Sequence, residues 1–220
     1  MRTLFALLLV PFLLAATSPR DWTANVARTN AGAYVLGNPA ARVKLVEYAS
    51  YTCSHCAAFS TESAAVLKGQ MVRSGSTSLE LRHLIRDSVD LAAAVVARCT
   101  GPARFFRTSE AIFAQQPQWL PQAIGFERSN AARLAMYPAL AQLQALADGS
   151  GLSAIGRAAG LSDAALHACF ADQAEVNRIV AMTSNARNVE ATPTFFINGK
   201  PVPGATWATL APALRAAGAR

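Results

Sequence analysis

The chain has 220 residues, 52% of them apolar and 15% charged, with a formal charge of +7 at pH 7. That composition suits one domain, or one domain carrying a large insertion, and it excludes a disordered chain. The positive charge is scattered, with no dense basic run and no interleaved aromatics, which argues against nucleic acid as a partner and leaves a mild attraction to acidic surfaces.

Residues 1–18 read as a secretory signal peptide: Arg2 supplies a positive start, residues 4–14 are almost wholly apolar, and the small residues Ala15, Ala16, Thr17 and Ser18 follow. The apolar run falls short of the roughly 20 residues that span a bilayer. An exported, periplasmic, soluble mature chain is expected, in a compartment where cysteines pair.

Residues 19–33 are small and polar and are expected to form a loose N-terminal arm, and Gly37-Asn38-Pro39 is a turn signal. Residues 43–48 cluster β-branched and aromatic side chains as a strand does. Residues 53–68 read as a helix that stops at Gly69, and residues 78–85 alternate as a second strand. Ser88 is placed to cap a helix ending at Gly101-Pro102. From there to about residue 172 the pattern is nearly all helical, with Leu140, Leu143 and Leu146 at helical spacing and Ser162-Asp163 capping a helix that holds Cys169. A return helix starts near Gln173 with Val176, Ile179 and Val180 on one face. Strand character resumes at Thr194-Phe195-Phe196-Ile197, Asn198-Gly199 makes a hairpin turn, residues 202–204 pair back, and residues 206–217 close the chain as a helix.

The chemistry sits at Cys53-Ser54-His55-Cys56, between a strand and a helix. Free N–H groups and the positive end of the helix dipole favour a thiolate at Cys53, and a protonated His55 adds to that effect. Cys56, one turn further in, is less exposed and can attack a mixed disulfide formed at Cys53. Stabilising the reduced thiolate makes the disulfide the stronger oxidant, so Ser54-His55 leans toward oxidation of substrates. Competing readings are weaker. Haem attachment needs His directly after Cys56, where Ala57 stands. A zinc site needs a second close pair of ligands, and His83, Cys99 and Cys169 do not make one, so neither metal nor cofactor is expected. A purely structural disulfide does not use the strand–helix setting.

The ordered set Val46-Glu47-Tyr48, Cys53-Ser54-His55-Cys56 and Thr192-Pro193-Thr194-Phe195-Phe196-Ile197-Asn198-Gly199 resembles the DsbA-like family of thioredoxin-fold proteins, over about residues 34–217. The resemblance implies an α/β fold: a thioredoxin-like domain from residues 34–87 and 189–220, interrupted over 88–188 by an all-helical insertion and return helix. It implies Cys53 as attacking and leaving cysteine, Cys56 as the resolving one, a cis Pro193 beside the disulfide, and Thr192, with Ser54, as substrate-contacting residues. Glu47 matches the family's buried acidic position. Alternation puts it on one face with Val43 and Leu45, where a carboxylate is driven toward its neutral form and can relay a proton to Cys56, unless it pairs with a nearby lysine. The implied reaction is disulfide donation to reduced, newly exported proteins, with a DsbB-type membrane quinone reductase as reoxidant and a monomer as the default state. Ser54 stands where strong oxidants often carry proline. Thr192 resembles the isomerase relatives, but the short arm leaves no room for their dimerisation domain. The rivals are an isomerase or reductase using the same residues, and a chaperone-like binder of unfolded chains.

Cys99 and Cys169, both late in helices, are expected to form a structural disulfide. His83 shares a face with Leu79, Leu81 and Ile85 and reads as a core histidine.

Overall fold

The computed structural model describes residues 20–204 and 206–220; the expected signal segment lies outside them. Six strands, β1 (Val26–Arg28), β2 (Tyr34–Gly37), β3 (Val43–Ala49), β4 (Thr77–His83), β5 (Thr194–Ile197) and β6 (Lys200–Val202), form one sheet in the spatial order β1-β2-β4-β3-β5-β6. β3 lies inside the sheet, parallel to β4 and antiparallel to β5. A parallel pair needs a crossover, and the helix between β3 and β4 supplies it.

That helix, α1 (Ser54–Ser63), runs on as a wider π-helical stretch, Ala64–Val72, straight through Gly69 where the sequence promised a stop. Glycine inside a helix costs only about 1 kcal/mol. Burial of Leu67, Met71 and Val72 outweighs it. The arm is a second departure. Part of it is β1, paired antiparallel with β2, and Arg28 is anchored on Glu175 at 2.5 Å. Three half-exposed residues carry no readable alternation. β2 was hidden by the turn signal that overlaps its end.

The remaining helices are α2 (Ser88–Cys99), α3 (Pro102–Ala114), α4 (Gln116–Leu134), α5 (Ala139–Ser150), α6 (Leu152–Ala158), α7 (Asp163–Ala171), α8 (Gln173–Ser184) and α9 (Trp207–Ala217). Asp87, not Ser88, caps α2: its side chain accepts the Asp90 N–H at 2.7 Å. Asp87 is extended while Ser88 already has helical geometry, so only the former can serve as the cap. α2 is the spine of the helical layer, buried at nearly every position from Val89 to Arg98. Its alanines and Gly156 of α6 allow close approach; a Cβ at Gly156 would lie 3.1 Å from Val96. A disulfide joins Cys99, at the end of α2, to Cys169 of α7. α8 returns to the sheet, where Thr183 Oγ1 accepts the Ile85 N–H at 2.8 Å. The β5–β6 hairpin turns on Asn198 and Gly199, both at positive φ (51° and 79°).

Candidate active site

Cys53 is the N-cap of α1, with an extended backbone (φ −91°, ψ 119°) and no side-chain cap of the ordinary kind. Its own sulfur occupies the position where a capping oxygen usually sits, facing the free N–H groups of the first turn. Hydrogen bonding from the Cys56 thiol, opposed by burial and helped by the Thr192 side chain and the N–H groups of Cys56 and His55, brings the Cys53 thiol down to about 4. Cys56 goes the other way. The hydrogen bond to Cys53, full burial and the Glu47 carboxyl push it far above the ordinary thiol range. The pair is thus polarised: one sulfur holds negative charge at neutral pH and the other holds its proton.

β5 lies beside β3, and this brings residues 192 and 53 together across most of the chain. The Thr192–Pro193 bond is cis, Pro193 is buried, and Cys53 Sγ lies 3.2 Å from the Thr192 carbonyl oxygen, to which it donates when protonated. Cys53, His55, Leu84, Arg86, Glu190, Ala191 and Thr192 line an open cleft of about 350 Å³. Ser54 is exposed on the first turn of α1 and is not part of this lining. His55 is exposed at the cleft, and it acts on the Cys53 sulfur through its backbone N–H, alongside that of Cys56.

Glu47 lies behind the pair in β3, 4% exposed, with Oε1 lacking a hydrogen-bond partner. Burial, offset by Lys68 and reinforced by Cys53, raises its carboxyl to about 8. Lys68, from the π-helical stretch, is lowered to about 8, by burial first and with Glu47 acting against that; its ion pair is with Glu110 of α3. Glu47, Ser63, Lys68 and Glu110 border a cavity of about 20 Å³, room for one water. Sequence reading allowed a lysine near Glu47 but did not name Lys68, because nothing local marks a lysine in the middle of a continuous helical run as buried.

The other candidates lie elsewhere. His83 is 1% exposed between the rings of Tyr51 and Phe105, and burial, then Arg98, push its imidazole well below the usual range. Cys99 and Cys169 are spent on each other. Among the described residues no group of three or more His, Cys, Asp or Glu is arranged to hold a metal ion.

A family model described as Thioredoxin matches residues 29–216. The crystal structure of a protein-disulfide isomerase from Novosphingobium aromaticivorans superposes with a TM-score of 0.76 and 33% identity, covering 83% of this chain and 95% of that one. Wolbachia pipientis alpha-DsbA1, in a variant form, gives a TM-score of 0.59 and 26% identity over 74% of this chain and 73% of the other. A Rickettsia typhi protein, named as a candidate protein-disulfide oxidoreductase, is 30% identical over 169 residues, which is 75% of this chain and 54% of the relative. The chain therefore spans about half the length of the curated relatives it matches.

Proposed function

This chain belongs to the thioredoxin family, among its DsbA-like members, and from that premise we propose that it is a protein-disulfide oxidoreductase donating the Cys53–Cys56 disulfide to reduced, exported proteins. The observation that carries the reading is the placement of the cysteine pair: Cys53 at the N-cap of α1, lining an open cleft against Thr192 and the cis Pro193, with Cys56 buried one turn further in. A substrate thiolate attacks Cys53 Sγ, the Cys53–Cys56 bond breaks, and Cys56 leaves. Buried and basic, Cys56 takes up a proton. A second substrate thiolate then attacks the substrate sulfur of the mixed disulfide, the new substrate disulfide forms, and Cys53 departs as a stabilised thiolate. A low thiol pKa makes it the better leaving group. Export and periplasmic residence, reduced exported proteins as substrates, and reoxidation by a DsbB-type membrane quinone reductase are parts of this proposal.

Equilibration with a glutathione buffer, read by alkylation and mass, tests it. A potential near about −120 mV is expected; one near about −270 mV marks a reductase and overturns the donor direction. The name of the Novosphingobium relative favours a second reading, isomerisation through the same residues. Reshuffling of a scrambled disulfide substrate without net oxidation would favour that reading over donation.

Glu47 supplies the Cys56 proton in this scheme. Its carboxyl is raised in the folded protein to about 8, so its contribution to stability is fully present below its unfolded value near 4.5 and is lost as pH rises through about 8. Glu47→Gln is therefore expected to remove a fall in stability across that window. It is also expected to slow the step that protonates Cys56, roughly tenfold or more, as removal of a general acid does. Denaturant titrations and exchange rates between pH 5 and 8 check both, and an unchanged rate profile eliminates the relay.

A further inference from the structure

The loop that carries the nucleophile is gripped from the helical layer by side chains that the chemistry above leaves unused. The Tyr51 N–H donates to Asp90 Oδ1 at 2.7 Å, and the Tyr51 carbonyl accepts from Gln116 Nε2 at 2.6 Å. The same Gln116 amide donates to the Cys53 carbonyl at 3.0 Å. The Tyr51 hydroxyl pairs with Ser109 Oγ at 2.7 Å. Asp90 also accepts the N–H of Arg86, a cleft residue, at 3.0 Å. Asp90, Ser109 and Gln116 are all buried.

Burying an amide is unfavourable unless its hydrogens find partners. Gln116 sends its Nε2 hydrogens to the backbone of the active-site loop. An apolar side chain of the same shape would fill that space without the desolvation, so the glutamine is explained by the loop it holds and not by the packing of α4. The Cys53 carbonyl is doubly engaged, since it also accepts the Ala57 N–H at 3.2 Å, a bond of the first turn of α1. Gln116 thereby fixes the plane of the peptide that enters the helix. The direction of that plane decides where the next N–H groups point.

Resting on the exchange reading above, we propose that Gln116, backed by Asp90, is a positioning residue for the nucleophile: it locks the Tyr51 and Cys53 peptide groups in the orientation that turns the His55 and Cys56 N–H groups onto Cys53 Sγ. The helical layer in this way reaches into the reactivity of a cysteine carried by the sheet domain. Gln116 is neutral, so replacing it leaves in place the titratable groups facing Cys53: Cys56 and His55 of α1, Arg86 and Glu190 across the cleft, and Glu47 behind.

The test is Gln116→Met, which keeps length and bulk and removes the donors. It is read by the pH midpoint of Cys53 alkylation and by the equilibrium with glutathione. The midpoint is expected to rise by about one pH unit, and the equilibrium to move about tenfold toward the protein disulfide, because a less stable thiolate makes a weaker oxidant. Gln116→Leu likewise removes the donors without adding a charge, and is expected to move both the same way. It carries the measurement if the methionine variant does not fold. Gln122→Met, on the same helix as Gln116, removes an exposed amide bond to the Gly149 carbonyl of α5 and is expected to move neither. Loss of thermal stability in the Gln116 variants with midpoint and equilibrium unmoved overturns the proposal and leaves Gln116 a structural residue. Wild-type protein that exchanges normally while the variants match it refutes the positioning role alone; wild-type protein that fails to exchange with glutathione refutes the functional reading beneath it.

Discussion

Cys53→Ala is expected to lower disulfide exchange by at least about a thousandfold, to the background of the reagents, because no other sulfur at the site is placed to react. Cys56 is fully buried and pushed far up, so it cannot stand in as the nucleophile. Cys56→Ala has a different outcome. Cys53, which is buried but lines the open cleft, still attacks substrate, but nothing resolves the product from within the protein, so mixed disulfides accumulate and are visible by mass under non-reducing conditions. The two variants also differ in a quantity that pure loss of activity would not reveal. The largest cause holding the Cys53 thiol near 4 is the hydrogen bond from Cys56. Removing that donor raises the pH midpoint of Cys53 alkylation, while the N–H groups of the first turn and the Thr192 side chain keep it below the free-thiol value of about 8.5. For the reduced protein the sign is that of a depressed acid: the stabilisation is present above the unfolded thiol value and is lost as pH falls through about 4. An alkylation midpoint in Cys56→Ala that matches the wild type would show that the helix start alone sets the thiolate. Aggregation suppression and rescue surviving in Cys53→Ala would return the chain to the class of chaperone-like binders.

The residues at the centre of this chemistry were readable from the chain because each carries a local mark. A cysteine pair one helical turn apart after a strand, a Thr-Pro opening another strand, and an acidic residue on the apolar face of the first all have a pattern. What no local pattern holds is that β5 lies beside β3, the pairing that sets Thr192 against Cys53. The misses follow the same logic. β1 is three residues long, and such a strand exists only because its partner β2 and Arg28's ion pair hold it. Gly69 reads as a stop by propensity, yet tertiary burial on either side carries the helix past it. Ser88 and Asp87 are both good caps, and only backbone geometry separates them. Asp90 did carry a signal, a lone carboxylate inside the apolar run Val89-Asp90-Leu91-Ala92, which marks a buried acceptor with backbone partners. Gln116 carried none, since one glutamine at a helix start is ordinary until the loop it holds is in view.

Removing the Cys99–Cys169 bridge is expected to be the largest single loss of stability available outside the core, without a matching loss of chemistry. The two cysteines are separated by 70 residues, and in the chain-entropy model closing such a loop restrains the unfolded chain by about 4 kcal/mol. The bridge ties the spine helix α2 to α7 and contributes no residue to the cleft lining. Cys99→Ala with Cys169→Ala should therefore lower the melting temperature by roughly 8–16 °C for a chain of this size, while the glutathione equilibrium of Cys53–Cys56 stays where it was. The double variant is the right instrument, because reducing the wild type would also open the Cys53–Cys56 pair and mix two effects. Thiol counting in denaturant on oxidised protein gives the complementary check: no free thiols with both bridges closed, and two if Cys99 and Cys169 are unpaired. A melting temperature that barely moves would mean that the unfolded chain gains little freedom on losing the bridge. A shifted glutathione equilibrium would mean that the helical layer transmits the loss of the bridge to the site, through the loop held by Asp90 and Gln116 or through α8, whose Thr183 holds Ile85 beside the cleft.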